Sequence, residues 1–285
     1  MNRFVPFIAV LALFGFTAVS TAAEKEKMGF QPTVVGGLNL TQNSYSNWTA
    51  GGENAYAYTF TLNSQFLNNQ PKYVWKITGD FAFGQTKTGT QSLRNAVDRI
   101  DVNALLTYKY GLLINPYISA GLLTQFATGY DYSKTPALAK SAFFDPAFIT
   151  GGAGLGWTIR PKFTTRLGLG IKETITNKYS EFRYADKAST PDVIEKTKFE
   201  TGIQSVTELE TKLASNLLYV TQLGLFSSFA NMTAVDVKWN NTWSAKVSKF
   251  ISVNMIVNLL YDKDISPKTQ VQQALAIGLT YHFIK

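Results

Sequence analysis

The feature that most constrains this chain is a two-residue alternation of apolar and polar side chains that recurs in about twelve segments. Successive side chains of a strand point to opposite faces, so each segment reads as a strand with one apolar face. Tyr56, Tyr58, Phe60 and Leu62 share a face of a segment covering about 55–67. Tyr73, Trp75, Ile77, Phe81 and Phe83 share a face of the next, followed by Ile100, Val102, Ala104, Leu106, Tyr108 and Tyr110. Further segments fall near 34–42, 118–126, 148–159 and 163–171, then around Leu217, Val235, Ile251 and the last residues. The segment around Leu209 and Leu213 is the least clear. Helical periodicity is absent, which predicts an all-β, antiparallel up-and-down barrel of about twelve strands.

The connections alternate long and short. Long ones are expected at about 43–54, 85–95, 127–146, 174–200, 230–234 and 262–270. Short ones are expected at 159–162, 213–216 and 248–250. Transmembrane barrels carry short turns at one end and long loops at the other, and an even strand number puts both termini at the short-turn end. Aromatic residues gather at both strand ends, as rings at a lipid–water boundary do. A secreted soluble barrel would alternate too, with its apolar face inward. Strand length favours the transmembrane form, because many segments reach the 9–11 residues a tilted span needs.

Charges within the strands all take the parity opposite the apolar face. They are Lys76, Asp80, Arg99, Asp101, Lys109, Arg166, Lys172, Glu208, Glu210, Lys212, Asp236 and Lys238, with Lys246 beside them. With lipid outside, these residues line the lumen, since a charge facing mid-bilayer costs about 2–4 kcal/mol. Two readings stay open. The charges either line a narrow aqueous pore with a mild anion preference or pair into a filled interior. Gly152, Gly154 and Gly156 share the inward parity of their strand and either leave space or admit a close neighbour.

Residues 1–23 read as a secretory signal peptide: Arg3, an apolar run from Phe4 to Val19, then Ser20-Thr21-Ala22-Ala23. Residues 24–285 are then the barrel. The last strand alternates through Ile277, Leu279, Tyr281 and Phe283. With Gly278, Tyr281 and Phe283 it resembles the C-terminal signal of Gram-negative outer-membrane barrels, which implies the barrel assembly machinery as a partner and periplasmic termini. The chain has no cysteine, so it uses neither disulfides nor thiolate metal sites. Its net charge of +8 is spread without a basic run, which argues against nucleic acid.

No catalytic constellation emerges, so an enzyme is not expected. The one histidine, His282, lies in the terminal strand without Ser and Asp partners at defined spacing. Asp98 with Asp101, or Glu208 with Glu210, could pair as acid and base, but basic neighbours make ion pairs the simpler reading. Asp262 and Asp264 are too few for a calcium site. No phosphate loop, zinc motif or dinucleotide fingerprint is present, so no cofactor is expected.

Four segments carry a family likeness. They are Trp48-Thr49-Ala50-Gly51-Gly52-Glu53-Asn54; residues 95–111, with Asp98-Arg99-Ile100-Asp101 and Tyr108-Lys109-Tyr110-Gly111; residues 144–156, with Phe144-Asp145-Pro146-Ala147-Phe148; and residues 261–283. In these the chain resembles an uncharacterised family of outer-membrane barrels, the domain of unknown function 3078. The resemblance implies an outer-membrane barrel and brings no substrate, cofactor or catalytic residue. The expected function is passive passage of small polar solutes or ions. The alternative is a closed barrel that binds a partner through its outer loops, chiefly 127–146 and 174–200.

Overall fold

The computed structural model describes residues 27–46, 52–111, 113–160, 162–187, 190, 192–248, 251–263 and 268–284, with backbone only at 159–160, 276 and 280–284. The proposed signal peptide and most of the Trp48 motif lie outside these residues. The strands are β1 (Gly29–Asn43), β2 (Ala55–Asn69), β3 (Tyr73–Thr88), β4 (Arg94–Tyr108), β5 (Ile114–Thr124), β6 (Gly129–Asp131), β7 (Leu138–Ser141), β8 (Ala147–Arg160), β9 (Phe163–Ile175), β10 (Thr197–Ala214), β11 (Leu217–Ser228), β12 (Val235–Lys246), β13 (Ile251–Tyr261) and β14 (Gln270–Ile284). Twelve of them close an antiparallel ring in sequence order, β14 returning to β1. The short β6–β7 pair forms a separate hairpin inside the 125–146 loop.

Ring strands run from eleven to eighteen residues, enough for a tilted span in every case. Directly paired residues share a face, so one parity can be followed round the ring from Asp80 through Asp101, Leu123 and Phe148. The opposite parity carries the large apolar residues, and they are exposed: Phe60, Ile77, Leu106, Ile118, Leu169 and Phe199 among them. Buried apolar residues among those described are few, namely Tyr117, Ala147, Tyr179 and Ala185. The apolar face therefore points outward, which is the surface of a transmembrane barrel and the reverse of a soluble one. Rings cluster at both ends of that surface. Tyr219 stacks on Trp243 at 4.9 Å and Tyr108 meets Tyr110 at 4.9 Å near the short turns, while Phe81 meets Phe126 at 6.4 Å near the long loops.

Several boundaries differ from the expectation. β1 and β5 start earlier, at Gly29 and Ile114, although they contain Pro32 and Pro116. Each proline sits beyond the last residue paired on one side, Val34 and Tyr117 respectively, so no ladder is broken there. The 85–95 loop shrinks to 89–93, because the rungs continue past the apolar band. Gln85 accepts from Tyr58 Oη at 2.5 Å and donates to Asn95 at 2.9 Å. β10 was unclear in sequence because Thr201, Ser205, Thr207 and Thr211 occupy its outer face. It begins at Thr197, so Lys198 and Glu200 belong to a strand and not to a loop.

The inward glycines of β8 admit side chains from neighbouring strands. A Cβ on Gly152 would meet the Gln204 amide, and one on Gly156 would meet Arg166 Cγ at 3.2 Å. A Cβ on Gly154 would instead strike backbone, the carbonyl oxygen of Leu167. A flexible amide can move and backbone cannot. Gly154→Ala is therefore expected to destabilise the folded barrel by about 1–3 kcal/mol, as overpacking does, and Gly152→Ala by less. Denaturant titration of the two variants in lipid vesicles checks the order.

Candidate functional site in the barrel lumen

The charges of the inner face form three tiers. Nearest the long loops, Lys172 of β9 lies between Asp236 of β12 at 2.9 Å and Asp262 at 2.5 Å. Glu200 stands 3.9 Å from it and 3.4 Å from Lys198. In the middle tier Asp101 accepts from Arg99 at 2.7 Å, Asn103 at 2.7 Å and Lys238 at 3.2 Å. Asp80 is its direct cross-strand neighbour. In the lower tier Glu208 accepts from Lys76 at 3.0 Å, Arg166 at 2.9 Å and Gln222 at 2.9 Å.

Three of the expected lining residues sit at the short-turn rim. Lys109 follows the end of β4 and bonds Asn69. Glu210 pairs with Lys162 at 2.6 Å, both well exposed. Lys212 is exposed near the end of β10. Neither carboxylate couple forms a site. Glu208 is deep and Glu210 is at the rim, while Asp98 and Asp101 occupy opposite faces. Asp98 instead accepts from the backbone N–H groups of Phe126 and Ala127, at 2.7 and 2.8 Å. Asp262 faces Lys172, and Asp264 lies outside the described residues. Among the described residues no three His, Cys, Asp or Glu side chains gather as a metal site.

Two of these ion pairs cross the lumen. β4 and β12 are six places apart in the ring counted either way, so Lys238–Asp101 spans the full width. β3 and β10 are five places apart, so Lys76–Glu208 spans nearly as much. Both bridges leave β13, β14, β1 and β2 together on one side. Those four strands contain no Lys, Arg, Asp or Glu. Their inward residues include Asn39, Thr41, Thr59, Asn63, Asn254 and Asn258. The lumen thus has a charged, bridged half and an uncharged polar half. Side-chain accessibility of 39% for Lys238 and 29% for Lys76 shows that water-sized space remains beside the bridges.

On the other half, Gln204 donates to Tyr117 Oη at 3.2 Å across the glycine surface, and the Arg166 guanidinium lies 5.8 Å from the Tyr117 ring. Sequence reasoning left Gln204, Tyr117, Glu200 and Lys198 out of the inner set. Parity alone would have found the last two.

The long loops above this end are organised by one carboxylate. Asp145 accepts from Thr176 Oγ1 at 2.6 Å and from the N–H groups of Asn177, Lys178 and Tyr179 at 2.9, 2.8 and 3.2 Å. It thereby ties the 125–146 loop to the 176–196 loop, with its short 3₁₀ turn Ser180–Phe182. Tyr184 Oη donates to Lys140 O at 3.3 Å in the same contact.

A family model described as a protein of unknown function (DUF3078) matches residues 40–130. That stretch includes two of the four motifs that carry the resemblance. Among solved structures, the chain is similar to the translocator domain of the autotransporter NalP from Neisseria meningitidis: 9% identity, 91% of this chain and 90% of that one, TM-score 0.41. It is also similar to an outer-membrane channel from Pseudomonas putida F1, at 10% identity, 92% and 97% coverage and TM-score 0.39. The NanC porin is similar at 10% identity, 87% and 98% coverage and TM-score 0.37. No match was found among curated proteins.

Burial opposes the charged form of Asp145, but the Thr176 hydroxyl and the three backbone N–H donors outweigh it and hold the carboxyl below the usual carboxylate range. A depressed folded pKa adds stability that is present at neutral pH and lost as pH falls through the folded value. A dye on Glu181→Cys, in a chain with no other cysteine, is expected to keep high anisotropy at pH 7 and lose it on acidification. In Asp145→Ala it should be mobile throughout, the tie being worth on the order of 3 kcal/mol.

Proposed function

We propose that this chain is an outer-membrane barrel whose lumen is a narrow passive route for small polar solutes or ions. The observation that carries the reading is the pair of ion bridges, Lys238–Asp101 and Lys76–Glu208, that cross the lumen on one side of an uncharged polar wall. They narrow the passage without lining all of it. Lys172, Asp236, Arg99, Asp101, Asp80, Arg166 and Glu208 set the field along it, and Lys109, Glu210 and Lys212 the field at the inner rim. The barrel sits with its short turns and both termini in the periplasm and its long loops outside. The apolar exterior meets lipid, and β14, with Gly278, Tyr281 and Phe283, is handed to the membrane by the assembly machinery. Among the described residues the lumen side chains are joined in ion pairs and amide hydrogen bonds, and the reading rests on passage and not on catalysis.

The loop assembly held by Asp145 favours a second reading, a closed barrel that presents its outer loops to a partner. Planar-bilayer recording of the refolded, heat-modifiable protein separates the two. The channel gives discrete steps with a mild anion preference, whereas a silent membrane fits the closed barrel and sinks the channel. In a conducting barrel, Lys238→Ala removes the widest bridge. Its conductance should rise and its reversal potential in a salt gradient should move toward cation preference. Arg99→Ala should move selectivity in the same direction. Unchanged selectivity in both would remove these residues from the passage.

A further inference from the structure

The ring is not sealed evenly. β1 and β14 are each fifteen residues long, and β1 pairs with β2 over its whole length. Against β14, β1 pairs only at residues 34–39, opposite 278–284. Continuing the register would set Leu40 against Ile277 and Asn43 against Ala274, but those rungs are absent. Residues 271–277 of β14 pair with β13 alone, and residues 40–43 of β1 with β2 alone. Every other neighbouring pair of long strands holds eight rungs or more. The seam is therefore closed toward the periplasmic end and open toward the loop end.

Two observations say what this opening faces. Outside, its margins are apolar and exposed: Leu40 at 68%, Leu275 at 70% and Ile277 at 63%. This places the opening against lipid. Inside, it adjoins the uncharged wall of β13, β14, β1 and β2, on the far side of both ion bridges. An open sheet edge within hydrocarbon is costly, because its N–H and C=O groups have no partner there. A molecule that lies in the opening and supplies hydrogen-bonding groups removes that cost. A full charge would gain no counter-charge on this wall, whereas an apolar chain can extend outward past Leu40 and Leu275.

We infer that the β1–β14 seam is a lateral doorway between the lumen and the outer leaflet, and that its ligand class is an uncharged amphiphile with an apolar chain. The inference rests on the membrane-barrel reading above but not on ion conduction. The polar, uncharged end of the ligand bonds the free strand edges and the Asn and Thr side chains of the wall, and the chain stays in lipid.

The absence of native cysteine makes the seam directly lockable. The probe is the neutral dye N-phenyl-1-naphthylamine, which intact Gram-negative outer membranes largely exclude. Cells making the full chain should take up the dye faster than cells without it. Oxidised Leu40→Cys/Ile277→Cys should fall to the rate of cells without the chain and recover on reduction. Leu38→Cys/Leu279→Cys, across rungs already paired, should be indifferent to oxidation. Equal uptake by locked and unlocked protein overturns the doorway, as does uptake no faster than in cells lacking the chain.

Should the first pair fail to oxidise while the second succeeds, the gap exceeds disulfide reach and the seam is open. Amide exchange in nanodiscs decides independently of locking. Residues 40–43 and 271–277 should lose protection relative to 34–39, and equal protection ends the proposal. Planar conductance of the oxidised protein should match the reduced form. A silent barrel that still shows lockable dye uptake would refute the ion channel and leave the doorway standing.

Discussion

Backbone hydrogen bonds that have no alternative partner govern the rest of this structure. Within a bilayer no water is available to satisfy an exposed N–H or C=O, so a strand can cross only as part of a closed ring. Closure makes the parity of one strand binding on all the others. Once Asp80 faces inward, so does its neighbour Asp101, and the rule passes round the ring through the Gly156–Arg166 and Glu208–Gln222 rungs. A single residue inserted in one strand would turn that strand's lumen charges toward lipid. The bulges beside Val34 and Gly84 accordingly fall near the ends of their ladders, where few rungs remain to be shifted.

Inside such a ring, charges taken from bulk water must find partners. The three tiers show three solutions. Lys172 sits among carboxylates from β10, β12 and the loop after β13. Glu208 is served by two cations and an amide. Asp101 gathers an arginine from its own strand and a lysine from the opposite wall. Because the partners come from strands far apart in the chain, these bridges fix the cross-section of the barrel as well as its polarity. Exposure of the Lys238 and Lys76 ends to water keeps the worth of their two bridges modest and leaves them able to open. That balance suits a constriction better than a permanent plug.

The fold was legible because lipid imposes a strict period, and it was least legible where the outer face is polar. β3, with Tyr73, Trp75, Ile77 and Phe81, could be read directly. β10, with Thr and Ser outside, could not, and its first residues passed for loop although Lys198 and Glu200 carried the right parity. Of the inner face, the identity of the charges could be read but not their partners. No local pattern in sequence says that Lys238 reaches Asp101, because the two meet only when twelve strands close into a ring. The Asp145 knot was hidden for the same reason. Asp145-Pro146 looks like an ordinary turn until the loop after β9 folds onto it.

Uneven charge around the ring links the lumen to the seam. Among the described residues the strand charges within the lumen fall on β3, β4, β9, β10 and β12, and the sequences of the four strands that include the first and the last have none. Ion bridges need rigid walls on both sides, and the strands that hold them are joined by long ladders, including those of β10 with β9 and β11. The β1–β14 closure joins the first and last strands of the ring without a connecting turn and holds the fewest rungs among the described residues. A charge on that closure would tie it to the far wall. Its absence leaves this part of the ring free to part while the bridged half holds its shape. The weakest seam and the neutral wall coincide, so the barrel can keep a defined lumen and still open sideways to lipid.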